Sequence, residues 1–219
     1  MTAFTQSPLL IKAGLVLVDP DSGRILRIVK LQYNAETLTR TVQPQSVASD
    51  GQDRSFALRL KGPPIETFKL DAELDATDQL EFPDQNAAAV EVGLLPQLAA
   101  LETIVYPLSS VLQANDALVG AGTLEIAPME APLTLFIWSR SRIVPVRITD
   151  FSVTEEAFDP TLNPIRAKVS LGMRVLSVDD LGFQHKGGSL FMNYLRAKEQ
   201  LATRTPGATL ATLGVQQLS

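Results

Sequence analysis

Between Ile165 and Val175 the chain reads IRAKVSLGMRV, an unbroken alternation. Ile165, Ala167, Val169, Leu171, Met173 and Val175 fall on one side, and Arg166, Lys168, Ser170, Gly172 and Arg174 on the other. Successive side chains of an extended strand point to opposite faces, so this spacing specifies a strand with one apolar and one basic face. A second segment, IETFKLDAEL at 65–74, obeys the same rule. Phe68, Leu70, Ala72 and Leu74 alternate with Thr67, Lys69, Asp71 and Glu73. Strands with a single apolar face belong to a sheet covered on one side, which points to an antiparallel arrangement.

The remaining chain supplies partners for these strands. Residues 10–18 and 24–33 are strand-like and flank DPDSGR, a run of turn-forming residues, so a β-hairpin is expected there. A calcium loop at DPDSG is disfavoured, because the further acidic ligands and the distal Glu are missing. After residue 120, GTLEIAP, LTLFIW and RIVPVRITDFSVTEEAF also read as strands. Pro145 would forfeit a ladder donor, which predicts an edge strand or a bulge at that point. The polar, aperiodic stretch QYNAETLTRTVQPQSVASDGQDRSF reads either as a segment reaching toward a partner or as a plain surface loop.

The period changes in GLLPQLAALETIVYPL. Leu94, Leu95, Leu98, Leu101, Ile104, Val105 and Leu108 recur at spacings of three and four, the stripe of an amphipathic helix. Pro96 is tolerated in a first turn and Pro107 ends the pattern. The spacing predicts one helix covering an open end or face of the sheet. A second helix is predicted over 188–202, after a Gly-Gly break. The organisation expected is one domain, 1–202, with an extended or partly disordered tail at 203–219.

Chemistry is scarce. The chain has no cysteine, which excludes disulfides, thiolate ligands and thiol nucleophiles. Its single histidine, His185, sits in LGFQHKGG with no carboxylate partner at metal-ligand spacing and no G-x-S-x-G elbow to serve as base. The carboxylate pairs Asp75/Asp78, Glu155/Glu156 and Asp179/Asp180 read as solvated surface acids. No P-loop or dinucleotide fingerprint is present. No enzyme, no cofactor and no metal site is therefore expected. A net charge of −5 argues against a duplex nucleic-acid binder. No stretch approaches the roughly 20 apolar residues of a membrane span, and the N-terminus reads as a strand rather than a signal peptide, so a cytosolic product is expected.

Charge is clustered instead. From residue 66 to 84 there are seven carboxylates, Asp71, Glu73, Asp75 and Asp78 among them, against Lys69 alone. Arg140, Arg142 and Arg147 lie on and after the turn WSRSRIVPVR. Opposite patches of this kind can steer identical subunits head to tail, which closes into a ring when the rotation permits. The basic face of Arg166, Lys168 and Arg174 is expected outside the core, lining a channel or meeting a neighbour. An assembly subunit and a small-ligand barrel are the two classes of function that this inventory leaves.

Several long blocks carry a family resemblance: QYNAETLTRTVQPQ, LRLKGPPIETFKLDAELDATDQLEFP, LPQLAALETIVYP, EIAPMEAPLTLFIWSRSRIVPVRITDFSVTEEAFDPTLNPIRAKVSLGMRVLSVDDLG and GGSLFMNYLRAKEQLA. Together, over roughly residues 10–202, they resemble the tube-initiator baseplate proteins of bacterial extracellular contractile injection systems, which are phage-tail-like particles. Many members of that family carry a LysM module; no LysM-like stretch is evident here. The resemblance implies a tail-tube-like β-barrel of two antiparallel sheets with one or two flanking helices, assembled as a homohexameric ring. Such a ring joins the trimeric spike to the first inner-tube layer, contacts other baseplate proteins and templates the tube. By the same resemblance, loop 39–56 and hairpin 10–33 would make contacts between rings or subunits. The assembly would form in the bacterial cytoplasm, in a particle either released or held at a membrane. The main inner-tube protein of such a particle is the nearest alternative, and a carried effector or ligand-binding barrel is the alternative of another class.

Overall fold

The computed structural model describes residues 11–46, 59–120 and 131–217. The predicted strand at GTLEIAP and much of loop 39–56 lie outside the described residues. Among the described residues, seven strands form one antiparallel sheet: β1 (Gly14–Val18), β2 (Ile25–Lys30), β3 (Leu38–Gln43), β4 (Ile65–Asp75), β5 (Leu133–Ser139), β6 (Arg142–Phe158) and β7 (Pro164–Val175). Their order across the sheet is β2-β1-β5-β6-β7-β4-β3. The helices are α1 (Thr77–Leu80), α2 (Ala87–Val92), α3 (Leu95–Glu102), α4 (Ser109–Gly120), α5 (Val178–Leu181) and α6 (Lys186–Ala202). The fold is thus mainly β with antiparallel pairing, as the alternation requires.

The expected two-sheet barrel is corrected to a single curled sheet that does not close. Among the described residues, strands β2 and β3 stand at its two edges with no ladder between them. Two features account for the gap. Helix α3 sits beside β2, burying Leu98 and Leu101 with Leu94 before them, and the Arg27 side chain of β2 reaches the α3 carbonyl of Ala100. Strand β3 pairs only with Ile65–Leu70, so among the described residues the second half of β4 has no strand on that side. Gln32 bridges the opening there: its Oε1 accepts from the Asp75 N–H at 2.9 Å, and its Nε2 donates to the Asp75 carbonyl.

The core lies inside the curl. Phe68, Ala72, Val144, Val169 and Met173 are completely buried, and the Phe68 and Phe136 rings meet in a tilted pair with centroids 5.6 Å apart. The interior that a ligand barrel would leave open is filled by these side chains. Pro145 proves to lie in a central strand, not an edge, flanked by β5 and β7. The ladder accommodates it because Pro145 stands opposite Leu176, one residue beyond the end of β7. Its carbonyl accepts from the Leu176 N–H at 2.9 Å, and the missing donor faces that same ladder terminus.

The predicted helix over 94–108 is shorter than its stripe. Helix α3 ends at Glu102, Thr103 bonds back to the Ala99 carbonyl at 2.7 Å, and Leu95, Val105 and Leu108 are exposed. Pro107 forbids continuation, since its ring and missing N–H break the next turn. Helix α4 then restarts at Ser109, in a stretch without a predicted helix. The Gly-Gly break before α6 is a close approach: a Cβ on Gly188 would lie 1.9 Å from the Gly182 carbonyl oxygen. Gly93 ends α2 at φ +58°, a conformation glycine adopts without strain. His185 is the N-cap of α6, its Nδ1 accepting the Gly187 N–H at 3.0 Å. Residues 203–217 after α6 are exposed and hold one short 3-10 turn, Leu210–Leu213.

Candidate assembly surface

The outward face of the sheet is divided. Over β4, β7 and β6 it is polar, because the register aligns the non-core residues of each strand in rows. Asp75, Arg166 and Glu156 share one row, Glu73, Lys168 and Thr154 the next, then Asp71, Ser170 and Ser152, then Lys69, Gly172 and Asp150, and lastly Thr67, Arg174 and Arg147. Ion pairs bind the rows together: Arg166 to Asp75 at 3.0 Å, Lys168 to Glu156 at 3.2 Å, and Arg174 to Asp180 at 2.8 Å. The Ser170 hydroxyl donates to Asp71. The basic face of β7 therefore lies outside the core, and its charges are balanced within the chain. Exposed pairs of this kind contribute little stability each, about 0–1 kcal/mol; their effect is a solvated surface of low net charge.

Over β2, β1 and β5 the outward face is apolar. Val16, Val18, Leu133 and Leu135 are buried there under Leu181 of α5 and Leu190 of α6, while Ile25 and Ile28 at the β2 edge stay exposed. Helices thus cover the apolar half and leave the polar half bare.

Two open features adjoin β6. Strand β5 pairs with β6 only through Arg142–Val146. From Ile148 to Phe158 β6 has, among the described residues, a hydrogen-bonded neighbour on the β7 side alone. Unpaired edge groups of this length are a template for another strand. Where β5 departs, a groove of about 420 Å³ opens, lined by Ile104, Val105, Leu133, Val146, Ile148 and Leu181. Arg147 stands at this groove and makes no ion pair among the described residues.

The β6–β7 hairpin ends in FDPTLNP, where Asp159 organises the turn. Its Oδ1 accepts from the N–H groups of Thr161 and Asn163 at 2.8 Å each, and its Oδ2 from the Asn163 side-chain amide at 2.9 Å. Asn163 also donates to the Glu91 carbonyl at 3.0 Å, tying the tip to α2. Desolvation works against the Asp159 carboxylate, but the donors of Asn163 and Thr161 outweigh it and hold its pKa below the ordinary value. A depressed folded pKa means the turn's stabilisation is complete above the unfolded carboxylate value and is lost as pH falls through the folded one. Acidification below about pH 4 is therefore expected to fray residues 159–163 ahead of the sheet, measured by amide hydrogen exchange. Tip amides as protected at pH 3 as at pH 7 would contradict this.

The other sequence candidates scatter. Arg140 occupies the exposed β5–β6 turn, Arg142 lies with its guanidinium 6.0 Å from the Phe68 ring centre, and Asp78 is in α1. Asp75 is held low first by the Thr77 hydroxyl and also by Arg166.

One acid counted with the surface cluster is buried. Glu66, 3% exposed, accepts from the Tyr194 hydroxyl at 2.8 Å and from Lys198 Nζ at 2.7 Å, with Arg40 of β3 at 3.8 Å. The Lys198 ammonium also lies 4.2 Å from the centre of the Tyr194 ring. Burial, the largest cause, raises the Tyr194 pKa. This network fastens α6 to β3 and β4. The signal was available, since Glu66 shares parity with Phe68 and Leu70 and so falls on the core face.

Among the described residues no helix is long and apolar enough to cross a membrane, and no group of three His, Cys, Asp or Glu side chains is placed to hold a metal. No family model matches the sequence, and no curated protein does. Among solved structures, the chain is similar to one from the tail of an empty gene transfer agent particle, determined by helical refinement in C6 symmetry. The TM-score is 0.30 at 13% identity, covering 75% of this chain and 90% of that one. A chain from the virion of the native gene transfer agent particle gives a TM-score of 0.28 at 11% identity, over 74% and 90%.

Proposed function

We propose that the chain is a structural subunit of a phage-tail-like contractile injection particle, without enzymatic activity. In this reading, copies form a ring in the baseplate that joins the spike to the inner tube and templates tube growth. The observation that carries it is the combination on β6 and β7: a bare, polar, charge-balanced face beside an unpaired strand edge. A subunit whose sheet continues into its neighbour needs such an edge, and a channel lining needs a solvated face without sticky patches. The sequence blocks resembling tube-initiator proteins support the same assignment. Particles of this kind assemble in the bacterial cytoplasm from ring subunits, spike, first tube layer and other baseplate parts. The filled interior disfavours the ligand-barrel alternative.

The test is electron microscopy of particles from the native host with this gene deleted. Loss of sheathed tubes, restored by supplying the gene, is the expected result. Normal full-length particles would remove the protein from the scaffold. Short or absent tubes on intact baseplates would favour the main inner-tube alternative over the initiator.

A further inference from the structure

Helix α4 is twelve residues long and buries none of them. Isolated helices of that length are marginal in water and owe their stability to packing of an apolar face. Such a face is present: Leu108, Val111, Leu112, Leu118 and Val119 form a stripe at helical spacing, and all five are exposed. The helix carries one ionisable side chain, Asp116, placed four residues after Leu112 and three before Val119, hence on the same face.

A surface of matching character lies on the same chain. The groove beside β6 is mainly apolar, and Arg147 is the one arginine or lysine among the described residues that line it. Its histidine, His185, is already committed to capping α6. Val105, four residues before the start of α4, lines this groove, so the helix begins close to its rim. The groove also runs into the open edge of β6 through Ile148.

We infer that α4 of one copy seats its apolar stripe in the groove of a second copy of this chain, with Asp116 against Arg147. Helix and groove are different surfaces, so the contact is heterologous: it does not end at a dimer, and it closes into a ring where the rotation permits. The inference rests on the reading above only in requiring that copies meet.

The chain has no cysteine, so cysteines placed singly report this contact cleanly. Full-length Leu112→Cys and Pro132→Cys proteins, tagged to differ in mass, are mixed and oxidised. The expected product is the mixed disulfide dimer, at least tenfold over either homodimer, and its yield falls at least tenfold with Leu118→Asp on the helix partner. Because α4 buries no side chain among the described residues, Leu118→Asp should leave the melting temperature unchanged. Assembled rings without the mixed dimer would overturn the inference and leave the ring reading standing. Monomers at every concentration, also when spike protein is added, would overturn both. A disulfide within one chain of the Leu112→Cys/Pro132→Cys double variant at high dilution would show that α4 folds onto its own groove, which also overturns it.

Discussion

Replacing Phe68 by alanine is expected to cost about 3–5 kcal/mol, the range for truncating a buried aromatic side chain. Phe68 is completely buried and packs its ring against Phe136, which in turn lies 6.0 Å from Trp138. It stands on β4 opposite Met173 of its ladder partner β7, and both side chains are completely buried. Domains are stable by only about 5–15 kcal/mol, so the variant should lose roughly a fifth or more of that margin. Its melting temperature should drop by about 6–20 °C, at roughly 2–4 °C per kcal/mol for a chain of this size. Urea unfolding monitored by circular dichroism checks it; a loss below about 1 kcal/mol would mean that the core is not centred on this ring.

The second large effect concerns the anchoring of α6. Lys198→Met removes a charged donor from Glu66, which stays buried with the Tyr194 hydroxyl and the more distant Arg40. A hydrogen bond to a charge contributes about 1.5–3 kcal/mol, and the loss should fall in that range, because Lys198 is itself only partly buried. The informative comparison is the triple variant Glu66→Leu, Tyr194→Phe, Lys198→Met. Apolar replacement of a whole buried ionic set is often neutral or stabilising, whereas removing one member strands a charge. The triple variant is therefore expected to recover most of the stability lost by Lys198→Met alone. If instead the losses add, the network is a set of independent surface contacts. Loosening α6 should also uncover Leu133 and Leu135 near the groove, so hydrogen exchange in β5 is expected to rise in the single variant and not in the triple.

Much of the sheet was legible in the chain because a period of two leaves little freedom. The faces assigned to Phe68, Leu70, Ala72 and Leu74, and to the matching residues of β7, are the faces they occupy, since a one-residue slip would turn every apolar side chain toward solvent. The first hairpin was legible for a similar reason, with Asp19 accepting from the Ser22 N–H in the turn. Helix α4 was missed although Leu108, Val111, Leu112, Leu118 and Val119 recur at helical spacing, because Pro107 marks the end of the preceding stripe and draws attention away from a second one directly after it. Strand β3 was hidden within a polar stretch, since an edge strand with exposed Thr39 and Thr41 lacks the apolar alternation that marks a buried one. The segment from 66 to 84 looked like an acidic patch, yet Asp75 pairs with Arg166 and Glu66 is buried. Linear charge counts miss partners that lie about a hundred residues away.

What the sequence determined by itself was local and periodic: that the segments with clean apolar alternation are strands, which side of each is apolar, where proline stops a helix, and that thiol chemistry is excluded. What only the tertiary structure decided was relational. The order of the strands, the failure of the sheet to close, the balance of β7's bases by acids from β4 and β6, and the groove left where β5 departs all depend on distant segments meeting. A side chain's own face is dictated by the backbone period, whereas its partner is chosen by packing among elements far apart in the chain.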